Sequence, residues 1–239
     1  MAAVVEAWRA RIDAVRQEVA GHARRVGRDP AEITIVAVTK TLPPEAVTAA
    51  ARGGLADVGE NYVQEARDKR LRSPEQVRWH LIGALQRNKA KVAARVFDRV
   101  HSLAALPAAA VLAEASRALG RRLPVLLQVN TAPGRDRHGV AADEASGLAE
   151  GVLALPGLAL DGLMTIAPAD AAGEASRGHF RTLREVRDRL ATRLGVELPH
   201  LSMGMSEDFV VAVEEGATML RLGRVLFGAR GPAAWREGS

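Results

Sequence analysis

Ionisable and polar side chains recur at the ends of the predicted strands, and Lys40 is the clearest case. It follows residues 33–39, a strand-like run in which six of the seven residues are β-branched. An amine at the carboxyl end of a buried strand is partly desolvated, which lowers its pKa and lets it attack a carbonyl carbon to form a Schiff base. The simpler alternative is a lysine that marks the exit of the strand into solvent.

The other predicted strands end in residues of a similar kind. Turn chemistry alone would favour Gly, Pro, Asp and Ser at these places. Because the carboxyl ends of parallel strands share one mouth, the pattern predicts a common site. Its candidate residues are Asn61, His80, His101, Asn130, Thr165, Ser206 and Arg221.

The last two strand ends carry the residue types of a phosphate pocket. Such a pocket needs close backbone N–H groups, hydroxyl donors and a helix N-terminus, and Gly204, Ser206 and Gly223 are suitable. Ser206 is also a good N-cap for a predicted helix at 206–215. The alternative is that Ser206 only caps this helix and Gly223 only permits a turn.

Arg221 lies inside an apolar predicted strand, residues 219–222. A buried guanidinium needs a partner, because an unpaired buried charge is very costly. A carboxylate on a neighbouring strand is one explanation, and an acceptor on a bound ligand is the other.

The elements that position these residues alternate along the chain. An N-terminal helix, roughly 3–26 within an N-terminal segment 1–30, precedes them, with apolar residues at helical spacing. Eight strands are predicted at 33–39, 56–59, 77–82, 98–102, 124–130, 158–164, 198–202 and 218–222. Helical stretches separate them at 44–53, 61–72, 87–96, 105–119, 141–154, 174–194 and 206–215.

Eight strands with helical crossovers in 239 residues predict an α/β fold, a single (β/α)₈ TIM-type barrel with an additional N-terminal helix. A doubly wound open sheet is the alternative, but it would favour a glycine-rich fingerprint that the sequence lacks. We expect one domain over residues 1–239, with residues 231–239 as a tail.

Composition narrows the functional classes. The net charge is +5, but arginines alternate with acidic residues and aromatics are only 3%, so we expect no nucleic-acid partner. No apolar run reaches the length of a membrane span, and the first residues lack a signal-peptide core. With no cysteine there is no disulfide framework or thiolate metal site, and we expect a cytoplasmic protein without a metal.

Several blocks of the sequence, in order over nearly the whole chain, are similar to one family. They are VTKT at 38–41, GENYVQE at 59–65, WHLIGALQRNK at 79–89, GLMT at 162–165, LSMGMS at 201–206 and RLGRVLFGAR at 221–230. These blocks resemble the pyridoxal phosphate homeostasis proteins (the YggS/PROSC family). The resemblance implies a single barrel like the N-terminal domain of alanine racemase, which holds pyridoxal 5′-phosphate (PLP) as a Schiff base.

The resemblance also implies roles for individual residues. Lys40 resembles the Schiff-base lysine, and Arg221 the partner of the pyridine nitrogen. The implied phosphate contacts are Ser206 and the backbone of Gly223 and Arg224. The implied pocket-lining residues are Asn61, His80 and Met203.

Arg224 departs from the family pattern, which usually has a small hydroxyl residue there. Its N–H can still bind phosphate, but a side-chain hydroxyl bond is lost. The guanidinium either pairs with the phosphate or points outward.

The implied chemistry favours a carrier over an enzyme. Arginine cannot accept a proton, so Arg221 donates to the ring nitrogen and leaves PLP a weak electron sink. Racemisation also needs a second acid/base. We therefore expect a monomer or weak dimer that buffers PLP and passes it to PLP-dependent apo-enzymes. Two alternatives are a weak amino-acid racemase using Lys40 with Tyr62 or His80, and a phosphosugar-type barrel enzyme.

Overall fold

The computed structural model describes residues 2–73, 75–132 and 138–229, so the predicted tail at 231–239 lies outside the described residues. The α-helices are α1 Ala2–Arg25, α2 Glu45–Arg52, α3 Val63–Arg72, α4 Ala90–Val96, α5 Leu106–Ala118, α6 Ala145–Leu153, α7 Arg177–Leu194, α8 Phe209–Glu214 and α9 Arg224–Phe227. The strands are β1 Thr34–Val38, β2 Asp57–Glu60, β3 Arg78–Leu81, β4 Arg99–Leu103, β5 Leu123–Asn130, β6 Val140–Ala141, β7 Leu158–Met164, β8 His200–Ser202 and β9 Met219–Leu222. Short 3₁₀ turns occupy Pro30–Glu32, Arg87–Lys89 and Gly173–Ser176.

Eight parallel strands close into a barrel, as the sequence predicts. The order is β4-β3-β2-β1-β9-β8-β7-β5, and a further pairing of β4 with β5 closes the ring. The alternative prediction of an open doubly wound sheet is therefore wrong. Each strand is followed by a helical segment that covers the outside, so the carboxyl ends of all eight strands face one mouth.

The short strand β6 was not predicted. It pairs in parallel with the end of β5, with Val129 opposite Val140 and Asn130 opposite Ala141. The sequence pattern predicts a helix over 141–154, but α6 begins only at Ala145. Two paired residues are too few to produce a recognisable strand pattern in the sequence.

Helix α1 packs against the barrel through a single apolar face. Trp8, Ile12, Val15 and Val19 are all buried, at the helical spacing seen in the sequence. The indole Nε1 of Trp8 donates to the carbonyl oxygen of Phe227 at 3.0 Å, and the two rings meet edge to face with centroids 5.5 Å apart. This contact joins the N-terminal helix to α9, which follows the last strand. Within the described ranges, no helix is long and apolar enough to cross a membrane.

Candidate functional site

A cavity of about 560 Å³ opens at the mouth of the barrel. This volume lies within the range of small-molecule sites. Six of the predicted site residues line it: Lys40, Asn61, Ser206, Arg221, Gly223 and Arg224. The fold therefore brings together residues from the ends of β1, β2, β8 and β9.

The backbone on both sides of Lys40 is held by a buried ionic cluster of Lys69, Glu60 and Glu65. The Lys69 ammonium donates to Glu60 and Glu65, each at 2.7 Å, and to the carbonyl oxygen of Thr39 at 2.6 Å. On the other side of Lys40, the N–H of Thr41 donates to Glu65 at 2.5 Å.

Thr41 itself has a φ of 63°, a left-handed conformation that is unfavourable for a β-branched residue. The hydrogen bond from its N–H to Glu65 is one of the contacts that hold this conformation. The strained turn directs the chain away from β1 immediately after Lys40.

Two lysines lie near this turn, and their environments differ. Lys69 is 6% exposed and its ammonium is surrounded by carboxylate and carbonyl acceptors, so it has a structural partner set. Lys40 is half-buried and lines the cavity. Of these two lysines only Lys40 lines the cavity, which Lys89 also lines from the turn before α4.

Burial raises the pKa of Glu60 to about 7, although the ammonium of Lys69 opposes this shift. One carboxylate oxygen of Glu60 accepts hydrogen bonds from Lys69 at 2.7 Å and from the Thr39 hydroxyl at 2.6 Å. Its other oxygen is buried without a hydrogen-bond partner among the residues that are described. The cluster therefore has a group that titrates near neutral pH.

Ser206 does not cap a helix, which corrects the prediction. The helix starts later than expected, at Phe209, and its N-cap residue is Asp208. The Ser206 hydroxyl instead accepts from the N–H of Gly223 at 3.4 Å and of Val225 at 3.3 Å. These long bonds place Ser206 against the backbone that follows β9.

Arg224 lies on the exposed rim of the cavity. Its guanidinium pairs with Glu207 at 2.7 Å, and both side chains are more than half exposed. The guanidinium therefore points outward, toward a neighbouring carboxylate on the surface.

Arg221 is buried in β9 and extends from the barrel interior into the cavity lining. Its guanidinium donates to the Ser202 hydroxyl at 2.7 Å and to the carbonyl oxygen of Thr165 at 2.8 Å. Of the two explanations for its burial, the carboxylate on a neighbouring strand is wrong, since Arg221 forms no salt bridge within the described ranges. Burial lowers the pKa of Arg221 to about 10, partly opposed by the charge of Asp208, so it stays protonated at neutral pH.

His80 and Met203 are not part of the cavity lining. Met203 is fully buried in the hydrophobic core. Both ring nitrogens of His80 are engaged, Nε2 with Asp57 at 2.8 Å and Nδ1 with His101 at 2.8 Å. Burial lowers the pKa of His80, although the hydrogen bond with Asp57 opposes the shift.

Comparison with known proteins decides the family. The family model described as "Alanine racemase, N-terminal domain" matches residues 10–231. A protein from Pseudomonas aeruginosa named "Pyridoxal phosphate homeostasis protein" is 43% identical over 87% of this chain and 89% of its own length. A protein of the same name from Escherichia coli K12 is 39% identical over 90% of this chain and 94% of its own. The chain belongs to the pyridoxal phosphate homeostasis protein family.

Solved structures agree with this membership. PipY of Synechococcus elongatus, in a structure with PLP bound, is 33% identical over 88% of this chain and 100% of that chain, with a TM-score of 0.78. Alanine racemase from Corynebacterium glutamicum is 18% identical, with a TM-score of 0.73, and this chain covers 63% of it. The latter likeness concerns the fold alone.

For this member of the pyridoxal phosphate homeostasis protein family, sequence reasoning missed part of the site. The missed lining residues include Gln86, Lys89, Gln128 and Asp208. The supporting cluster around Lys69 was also missed, because a lysine in a helix of polar composition reads as exposed. The available signal was GENYVQE, which places one glutamate at the end of β2 and a second five residues later in α3.

Proposed function

We propose that this protein binds PLP in the cavity at the mouth of the barrel and takes part in intracellular PLP homeostasis. The observation that carries the proposal is the convergence on one cavity of an amine, a buried guanidinium and a hydroxyl beside backbone N–H groups: Lys40, Arg221 and Ser206. The likeness to PipY, which has been solved with PLP bound, supports the same conclusion.

The cavity residues fit each part of the cofactor. Lys40 is the covalent anchor for the aldehyde, and its position is set by the cluster on either side. Ser206 with the backbone of Gly223 and Arg224 binds the phosphate. A guanidinium has five N–H donors, so Arg221 keeps donors for the ring nitrogen beyond its bonds to Ser202 and Thr165.

Bound PLP supplies an electrophilic carbon and a ring that withdraws electrons. Arg221 limits that withdrawal, because a guanidinium donates a hydrogen bond to the ring nitrogen but keeps its proton. A carboxylic acid at the same place would protonate the ring nitrogen. The site therefore suits the holding of PLP better than chemistry on an amino acid.

A weak amino-acid racemase is the second candidate, since Tyr62 lines the cavity. His80 does not serve it, because both of its ring nitrogens have partners inside the barrel. Proton NMR of the PLP-loaded protein with L-amino acids in deuterated water tests this candidate. We expect the α-proton signals to persist, and their loss would make the protein an enzyme.

We further propose that the whole chain, residues 1–239, acts as one PLP-binding domain and works in the cytoplasm as a monomer or weak dimer. Its partners are then PLP and PLP-dependent apo-enzymes. The half-buried position of Lys40 supports transfer, because the anchor stays within reach of the open mouth.

A transfer assay tests this function. The PLP-loaded protein is mixed with a PLP-dependent apo-enzyme and a phosphatase that destroys free PLP, and recovery of enzyme activity is followed. We expect recovery with the wild-type protein and none with Lys40→Ala after the same loading and removal of free PLP. Equal recovery from both proteins would contradict the proposal.

A further inference from the structure

A chain of hydrogen bonds crosses the barrel interior behind Arg221. The guanidinium donates to the Ser202 hydroxyl at 2.7 Å, and this hydroxyl lies 2.8 Å from Nδ1 of His101. Nε2 of His101 lies 2.8 Å from Nδ1 of His80, whose Nε2 lies 2.8 Å from a carboxylate oxygen of Asp57. The five residues come from five different strands: β2, β3, β4, β8 and β9.

The far end of this chain fixes its direction. Burial alone raises the pKa of Asp57, but hydrogen bonds from His80 and Arg78 outweigh it and lower the pKa to about 2. The carboxylate is therefore ionised and can only accept. Nε2 of His80 must then carry the proton that it donates to Asp57.

The two histidines are neutral, which determines the remaining protons. Burial lowers the pKa of His80 and holds the pKa of His101 well below its usual range, with the positive charges of Arg221 and Arg99 adding to the effect at His101. A neutral imidazole has one donor and one acceptor nitrogen. Nδ1 of His80 therefore accepts from Nε2 of His101, and Nδ1 of His101 accepts from the Ser202 hydroxyl.

The Ser202 hydroxyl thus donates to His101 and presents its lone pairs to Arg221. Every bond in the chain runs the same way, from Arg221 through Ser202, His101 and His80 to Asp57. The guanidinium, which has no salt-bridge partner among the described residues, receives an acceptor of fixed orientation. Ser202 and the carbonyl oxygen of Thr165 are the two acceptors that hold the guanidinium in the cavity lining.

We propose that Ser202, His101, His80 and Asp57 are positioning residues that hold Arg221 as a hydrogen-bond donor toward the pyridine nitrogen of PLP. This inference rests on the proposed function and deepens it. None of the four needs to touch the cofactor, because they act through Arg221.

Two ligands separate positioning from a general structural role. The first is PLP, and the second is its carbocyclic analogue, in which a C–H group replaces the ring nitrogen and the aldehyde and phosphate are kept. Ser202→Ala removes one of the two acceptors of Arg221 and leaves the Thr165 carbonyl oxygen in place. We expect PLP affinity to fall roughly 10-fold, and affinity for the analogue to fall less than about 3-fold.

Ser116→Ala is the matched control. Ser116 is another fully buried serine, in α5, and its hydroxyl has no hydrogen-bond partner among the described residues. We expect this variant to bind both ligands as the wild type does. An equal loss of both ligands in Ser202→Ala, or no loss of either, would overturn the inference.

The proton positions are tested directly by NMR. In protein labelled with ¹⁵N-histidine, long-range ¹H–¹⁵N correlations report which imidazole nitrogen carries the proton, and single replacements among the six histidines assign the signals. We expect His80 and His101 to be neutral and protonated at Nε2. An imidazolium, or a proton on Nδ1 of either ring, would overturn the proposed direction.

If the wild type does not bind PLP, the proposed function itself fails. Wild-type binding that Ser202→Ala leaves unchanged overturns only this inference.

Discussion

The ammonium nitrogen of Lys69 lies 2.6 Å from the carbonyl oxygen of Thr39, the residue immediately before Lys40. Through this bond and those to Glu60 and Glu65, the buried Lys69 holds the backbone that carries Lys40 into the cavity. Lys69 thus has a structural role beside Lys40, the residue proposed as the PLP anchor.

Replacement of Lys69 by methionine should therefore destabilise the protein. Lys69→Met keeps an unbranched side chain but leaves two buried carboxyl groups without their cation, a change that typically costs about 3 kcal/mol or more in the free energy of unfolding. Urea unfolding at neutral pH measures this cost. The control is Lys91→Met on α4, whose side chain is exposed. Similar unfolding free energies for the two variants would contradict the role assigned to Lys69.

The raised pKa of Glu60 predicts a pH dependence of stability. The folded value of about 7 lies above the ordinary value of 4.5, so the folded state binds the proton more tightly than the unfolded state. The stability from this group is fully present below pH 4.5 and is lost as the pH rises through about 7. The whole effect amounts to at most about 3 kcal/mol.

Comparison with Glu60→Gln isolates this contribution, because the amide does not titrate. We expect the stability difference between wild type and Glu60→Gln to shift against the wild type between pH 4.5 and about 7. Glu114→Gln, at an exposed position on α5, is the control. A difference that stays constant over this range would show that Glu60 does not titrate there.

Ser206 is predicted to act on the phosphate alone. Ser206→Ala removes a hydroxyl beside the N–H groups of Gly223 and Val225. We expect PLP affinity to fall about 10-fold, and affinity for pyridoxal, which lacks the phosphate, to change less than about 2-fold. Equilibrium dialysis with both ligands measures this. Equal losses for the two would place Ser206 away from the phosphate.

The guanidinium of Arg224 is predicted to contribute little to binding. It pairs with Glu207 on the exposed rim, and exposed ion pairs contribute about 0–1 kcal/mol. Arg224→Ala should therefore change PLP affinity less than about 3-fold, because the substitution keeps the backbone N–H that is proposed to bind the phosphate. A loss as large as that of Ser206→Ala, measured in the same assay, would show that the guanidinium itself binds the phosphate.

The barrel and the position of the cavity at its mouth were predictable from local sequence. Strand-like and helical segments alternate along the chain, and a shared mouth follows from parallel strands, which is why Lys40, Ser206 and Arg221 could be placed together. The resemblance to a family then assigned their roles.

The interior contacts were not predictable, because they depend on the register between distant strands. His80 meets His101 across 21 residues, and His101 meets Ser202 across 101. The same limit explains the error at Ser206, whose residue type favours an N-cap. Its hydroxyl instead contacts backbone that the pairing of β8 with β9 brings near.

The account depends most on the identity of the anchoring amine. Borohydride reduction of the PLP-loaded protein makes the bond between cofactor and amine permanent. Proteolysis and mass mapping then identify the residue that carries the adduct. We predict one reduced adduct, on Lys40, which disappears in Lys40→Ala. An adduct on Lys69, Lys89 or any other amine of the wild-type protein would contradict the site described above.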